Sequence, residues 1–343
     1  MNSEWQAFLE TQSATIGDNG EVGFSGAEDY PESALFDLSH LGLIEVKGED
    51  GKKFLQGQTT NDVNSVSIQQ SQLSSICTPK GRMLANFCLL MRDDAYLLQL
   101  PKSTHSVIMK RLPMYILMSK VVVTDISDQL VRIGLVGDAG AALLKKRFSQ
   151  LPANSGEVIE ADGYTLIKHP GTPNRFEIIA ETEKIIKLWS ALADIATPSS
   201  ADHWALYNLR AGIPTVYQET TEAFIPQMTN MDLVDGVSFT KGCYTGQEIV
   251  ARMKYLGKLK RRMYLAQIDS EQRPKPGDKL FSSSSTSGQG AGKVVDARPS
   301  PDGGYELLAE MVISGHDEDN MHLGSEEGPK LNFRALPYGF DAD

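Results

Sequence analysis

The sequence predicts an α+β protein: two mixed α+β modules followed by a small C-terminal β-barrel. Three observations lead there. Strand-like and helix-like runs alternate through two successive stretches; a Pro198-Ser199-Ser200 break closes the second; and beyond Lys260 only short strands with Pro- and Gly-rich turns follow. With 343 residues, 41% of them hydrophobic and 22% charged, the chain suits two or three domains of ~100–200 residues, each with its own core.

Residues 1–32 hold seven acids, no base and many Ser, Gly and Asn residues, so an acidic, loosely held arm is expected up to residue 34. From Leu41 the run L-G-L-I-E-V-K alternates as a strand does, and residues 49–56 set Phe54 and Leu55 on one side of a short helix. Strands are expected at 73–77, 83–91 and 95–100, separated by Pro79-Lys80-Gly81 and Arg92-Asp93-Asp94 turns. A helix at 103–112 stops near Pro113, and 120–126 returns to β-branched composition. The second module reads as a strand at 130–136, a helix at 138–148, strands at 164–168 and 175–180, and a helix at 182–195. Ser200 suits the cap of a further helix through Leu209, with Gly212 at its stop. Barrel strands are expected at 263–268, 279–281, 292–297, 305–313 and 331–335, with a low-complexity tip at 282–290; closure would hide the sheet edges.

The 33 Lys and Arg against 44 Asp and Glu leave a net charge of -11, which excludes a protein that coats nucleic acid through its overall field but not a local basic patch. Cys77, Cys88 and Cys243 lie too far apart for a CxxC metal clip, and their odd number suits a reducing compartment. The first basic residue is Lys47, so neither a secretory signal nor a transit peptide is expected, and the protein is placed in the cytoplasm. The apolar stretch 83–91 is about half of a ~18–20-residue bilayer span and contains Asn86, so no membrane helix is expected. The six histidines show no metal-ligand spacing, and phosphate loops, dinucleotide fingerprints and serine-nucleophile elbows are absent. No metal site is expected.

The most informative segment is Lys241-Gly242-Cys243-Tyr244-Thr245-Gly246-Gln247-Glu248. Thr245 and Glu248 have the spacing of a capping box, which predicts a helix from Gly246 with Cys243 just outside its positive end and near the Lys241 ammonium. Both would favour thiolate over thiol, making Cys243 a candidate reactive sulfur and Lys241 its activator. The competing reading is a small buried residue in a tight turn. From 241 to 262 there are seven bases against one acid; Arg252, Lys254, Lys258, Arg261 and Arg262 are candidates for an anion- or partner-binding face. Trp204 offers an indole for stacking on a pterin or a base, or else packs in the core.

K-G-C-Y-T-G-Q-E at 241–248 resembles the signature of the YgfZ family of folate-binding proteins, related to the aminomethyltransferase T-protein of glycine cleavage. Supporting pieces are F-L-Q-G-Q-T-T-N-D-V at 54–63, P-K-G-R-M at 79–83, W-A-L-Y-N-L-R-A-G-I-P at 204–214, F-I-P-Q-M-T-N at 224–230 and L-P-Y at 336–338. The resemblance spans about residues 35–340. It implies two α+β modules of the aminomethyltransferase folate-binding type and a C-terminal barrel around a central channel. The bodies would be 35–127 with 198–258, then 128–197, then 259–343, after the 1–34 arm.

The resemblance further implies tetrahydrofolate or a one-carbon derivative as cofactor, a role in tRNA methylthiolation and iron–sulfur enzyme assembly or repair, and folate, iron–sulfur enzymes and tRNA as partners. Two tryptophans accompany folate in this family. The motif match maps one onto Trp204, while the other falls on Leu41, which can cover a pterin but lacks an indole face and N–H. T-protein carries an acidic pair where this chain has Ala85 and Asn86, so the alternative, a folate-dependent one-carbon transferase acting on tRNA or a small amine, lacks its carboxylate.

Overall fold

The computed structural model describes residues 1–24, 30–282 and 290–340, so most of the low-complexity tip expected at 282–290 lies outside the described residues. The chain divides into two compact units. One comprises Met1–Phe54, Val63–Gln72 and Phe87–Trp204; the other comprises Leu55–Asp62, Leu73–Asn86 and Ala205–Asp343. This cut differs from the bodies expected at 35–127 and 128–197, because residues from both build the sheets and core of the first unit.

The first unit is built on a mixed six-stranded sheet in the order Val158–Ala161, Tyr164–His169, Arg175–Ala180, Val131–Val136, Ala34–Asp37 and Thr197–Ser199, the last pair parallel and the others antiparallel. One face is covered by the helices Asp138–Arg147 and Thr182–Leu192, which bury Leu144, Ile185, Leu188, Trp189 and Leu192 against Ile133, Leu135, Leu166 and Ile178. On the other face Val158, Ile167 and Ile179 meet Leu43, Leu90 and Leu97 from an antiparallel layer that includes Leu41–Lys47, Ala95–Pro101 and Val122–Asp125. Both faces of the central strands are therefore covered, and Val131–Val136 and Arg175–Ala180 are buried along their whole length.

The expected loose arm is instead docked structure over residues 1–24. Ser3–Thr11 is a helix whose first-turn amides at Glu4 and Trp5 are capped by the Asn2 side chain, and a hairpin pairs Ala14–Ile16 with Val22–Phe24. Trp5 and Leu9, spaced by four, are buried in the same core as Trp189, and the Trp5 indole donates to Asp37 Oδ2 at 2.6 Å. An acidic outer face hid a short apolar stripe; residues 25–29 of the expected arm lie outside the described residues.

In the second unit the C-terminal strands form a six-stranded antiparallel sheet, ordered His322–Leu323, Lys279–Phe281, Gly292–Pro299, Tyr305–Val312, Arg261–Ile268 and Asn332–Arg334. It curls around Ala266, Val294, Leu307, Ala309 and Met311. Its two edge strands do not pair with each other among the described residues, so the expected closed barrel is a half-barrel. The short edges expose few unpaired backbone groups, which removes the need for closure. Among the described residues no helix is long and apolar enough to cross a membrane, and no group of three or more His, Cys, Asp or Glu is placed to hold a metal ion.

Candidate functional site

The Lys241–Glu248 segment lies wholly in the second unit as a turn leading into the helix Gln247–Tyr255. The expected capping box is not formed. Gly246, at φ 88 and ψ 0, occupies the cap without a side-chain hydrogen bond. The reason is a close backbone approach: a Cβ on Gly246 would stand 2.4 Å from the Thr78 carbonyl oxygen and 3.1 Å from Gly81 Cα, while one on Gly81 would meet the Ile249 Cβ at 2.9 Å. The P-K-G-R-M turn and the signature turn thus interlock through two glycines, which a side-chain cap geometry would prevent.

Lys241 is 8% exposed, and its ammonium donates to the Thr59 and Asn61 carbonyls at 2.7 Å each. Burial pushes it down to about 8, against the opposing pull of Asp62. The expected activator of Cys243 is instead a clamp joining the F-L-Q-G-Q-T-T-N segment to the signature. Its aliphatic stem also brings the charge to 5.2 Å from the Tyr244 ring, whose hydroxyl is raised first by burial and then by Cys77. With both flanking side chains turned inward, Gly242 and Cys243 are exposed, and the Gln247 amide donates to the Gly242 carbonyl at 3.3 Å to close the turn.

The expected basic face is smaller than its charge count. Arg261 is paired with Glu310 through Nε at 2.5 Å and Nη2 at 3.1 Å, and Arg262 with Asp232 at 2.6 and 3.0 Å. Glu310 comes from the neighbouring strand and Asp232 from the loop after Asn230, so both arginines are committed to ion pairs within the second unit. Arg252, Lys254, Lys258 and Lys260 stay exposed.

A second cluster lies in the first unit. Glu177 pairs in register with Gly134, and Trp204 occupies the space a Cβ at Gly134 would take, its nearest ring atoms 2.7 Å from that position. Trp204 and Glu177 therefore share one sheet face. The indole is 1% exposed, with the Arg175 guanidinium over its ring at 5.2 Å, His169 edge-on at 5.3 Å and Phe36 tilted at 5.5 Å. The open indole face expected for stacking is already covered by protein. Leu41, half-buried at the start of its strand, is not among the rings or charges packed on Trp204; its carbonyl accepts from Arg132 Nη2 at 2.8 Å.

Glu177 is fully buried. One of its oxygens lies 2.8 Å from His169 Nε2, while Oε1 has no hydrogen-bond partner. Arg132 is buried as well, with Nε and Nη1 unpartnered; burial lowers it, and Glu177 followed by Asp37 opposes that. Gln99 is a third buried residue with an unpartnered atom, its Oε1, and lies opposite Cys88 in the strand register. Burial, then Glu177, pushes the Cys88 thiol up to about 12, with a Ser71 hydrogen bond acting the other way. Unpaired donors and acceptors of this kind are costly in an apolar interior unless something fills them.

A family model described as the GCVT N-terminal domain matches residues 31–238. The curated protein "tRNA-modifying protein YgfZ" of Colwellia psychrerythraea is 32% identical over 91% of this chain and 95% of its own length. That of Klebsiella pneumoniae is 31% identical over 90% and 93%. The chain belongs to the YgfZ family. The crystal structure of glycine cleavage system aminomethyltransferase T from Bartonella henselae superposes with a TM-score of 0.78 over 98% of this chain and 97% of that one, at 16% identity, which shows a shared fold.

Against this family background, Asn86 has a structural task. Its side-chain amide donates to the Pro214 carbonyl at 2.7 Å and its oxygen accepts from the Val216 amide at 2.8 Å, so both ends are engaged. Glu177, Arg132 and Gln99 are not singled out by any motif in the sequence. The available signal was charge inside a strand whose other residues are apolar, one in V-R-I-G-L-V and two in R-F-E-I-I-A: such residues are almost never fully buried without a purpose.

Proposed function

We propose that this YgfZ-family protein is a cytoplasmic folate-binding accessory protein for tRNA methylthiolation and for the iron–sulfur enzymes that perform it, with Cys243 as its reactive group. The observation that carries the folate reading is the set of buried, unpartnered polar atoms at Glu177, Arg132 and Gln99. A pterin presents adjacent amino and ring N–H donors on one edge and an oxo acceptor beside them. Glu177 would accept from the former, Arg132 would donate to the latter, and Gln99 would accept from a remaining N–H. Trp204 acts as a positioning residue that fixes the sheet face carrying Glu177, and Leu41 covers the ring. The bound folate would supply a one-carbon unit or reducing equivalents.

The tRNA-modifying names of the relatives support the destination of that chemistry. The exposed Cys243 supports a transient contact with a partner's cluster or persulfide, since a single thiol cannot hold a cluster alone. Lys241 serves by fixing the turn. The one-carbon transferase reading is weaker because the amide of Asn86 stands, fully engaged, where catalysis would need a carboxylate.

The test is rescue of methylthiolated tRNA in cells lacking the native gene, with folate binding measured on the same purified variants. Cys243→Ala is expected to bind tetrahydrofolate and fail to rescue; Glu177→Gln is expected to lose both. Full rescue by Cys243→Ala would remove the thiol from the reading.

A further inference from the structure

From Ile249 to Lys260 the chain contains four bases and no acid, inside a protein whose net charge is -11. Arg252, Lys254, Lys258 and Lys260 are all exposed, and Arg252, Lys258 and Lys260 form no ion pair among the described residues. The same surface carries large apolar groups in water: Tyr255 is 63% and Leu256 85% exposed. Tyr255 is braced edge-on by Phe239 at 6.2 Å and 78°, and Lys254 lies 5.6 Å from the Phe239 ring. A nine-residue helix rises ~1.5 Å per residue, so this patch and the Cys243 turn occupy opposite ends of one short helix in the same unit.

We infer that the C-terminal end of the Gln247–Tyr255 helix is a binding surface for single-stranded RNA, with Tyr255 and Leu256 stacking on a splayed base and Arg252, Lys254, Lys258 and Lys260 following the phosphates. Positive charge alone would suit any polyanion. The braced, exposed ring is what selects bases, because every base offers a π face. The acidic remainder of the molecule repels the dense phosphates of a duplex, so a short unpaired segment such as a loop is the fitting form. The choice of RNA among polyanions rests on the tRNA-linked reading above.

The test is fluorescence anisotropy of a labelled single-stranded oligoribonucleotide with the full chain, titrated against salt, with the duplex and a polyglutamate peptide as competitors. Tyr255→Ala is expected to weaken binding about five- to hundredfold and Tyr255→Phe to restore it. Lys258→Gln with Lys260→Gln is expected to flatten the log–log salt slope by about 0.7 for each phosphate that is no longer neutralised. Tetrahydrofolate binding should be the same in all of these variants. The inference is overturned if the oligonucleotide fails to bind at low salt, if Tyr255→Ala binds as well as the parent, or if the duplex competes equally. Displacement by polyglutamate as effective as by unlabelled RNA would assign the surface to an acidic protein segment and overturn it too. A chain that binds folate and rescues methylthiolation but not RNA would sink this inference alone.

Discussion

Lys241 ties the signature turn to the Thr59–Asn61 backbone. Its two hydrogen bonds satisfy the carbonyls of Thr59 and Asn61, so Lys241→Met, which keeps the stem and removes the donors, should cost about 1–3 kcal/mol in urea unfolding. The pH dependence has a defined sign. The folded ammonium releases its proton near 8, below the ordinary 10.5, so between those values the unfolded chain holds a proton that the folded chain has lost. The parent should gain stability relative to Lys241→Met as pH rises through that window, and an opposite slope would refute burial as the cause. Asp37 is the converse case. Burial raises its carboxyl above 3.8, and the Trp5 indole N–H is the largest influence pulling it back. Trp5→Phe removes that donor from a buried acceptor and should cost about 1–3 kcal/mol in urea unfolding.

The signature's elements were legible, but their junction was not. The Gln247–Tyr255 helix lies where apolar periodicity set it, beginning one residue later than the Thr245–Glu248 spacing implied. A local rule gave way to a tertiary contact, the approach of Gly246 to Thr78 and Gly81, which no linear spacing encodes. Gly246→Ala therefore combines a left-handed backbone with a 2.4 Å clash and should destabilise by more than about 2 kcal/mol. Gly242→Ala, with no atom within 4 Å of the added methyl, should stay within about 0.5 kcal/mol. Comparing urea midpoints of these two variants separates the interlocked glycine from the exposed one. The same logic explains Arg261 and Arg262: sequence counts their charges, but only strand pairing with Val312 and Met311 brings Glu310 to Arg261, and only the Asn230 side chain, bonded to the Met263 backbone, brings the Asp232 loop to Arg262.

At the scale of the molecule, the α+β class, most strand positions and the curled C-terminal sheet could be read from periodicity. The docked N-terminal helix could not, because its stripe is two turns long under an acidic face. The buried polar cluster was hidden for a different reason: Glu177 and Arg132 come from neighbouring strands of one sheet and Gln99 from the layer packed on it, so only the tertiary fold assembles them. That assembly is also what makes a ligand readable as a stability effect. A compound that binds only the folded state raises its stability by about 2.7 kcal/mol at a hundredfold excess over its dissociation constant. Saturating tetrahydrofolate should therefore raise the melting temperature of the parent by several degrees. Cys243→Ala and Tyr255→Ala, both in the second unit, should shift equally. Glu177→Gln should lose the shift, because an amide in place of the carboxylate turns one acceptor towards the pterin into a donor facing a donor. Arg132→Met should weaken it too. A parent-sized shift in Glu177→Gln would move the folate away from this sheet face, and leave the unsatisfied atoms of Glu177, Arg132 and Gln99 without a ligand to explain them.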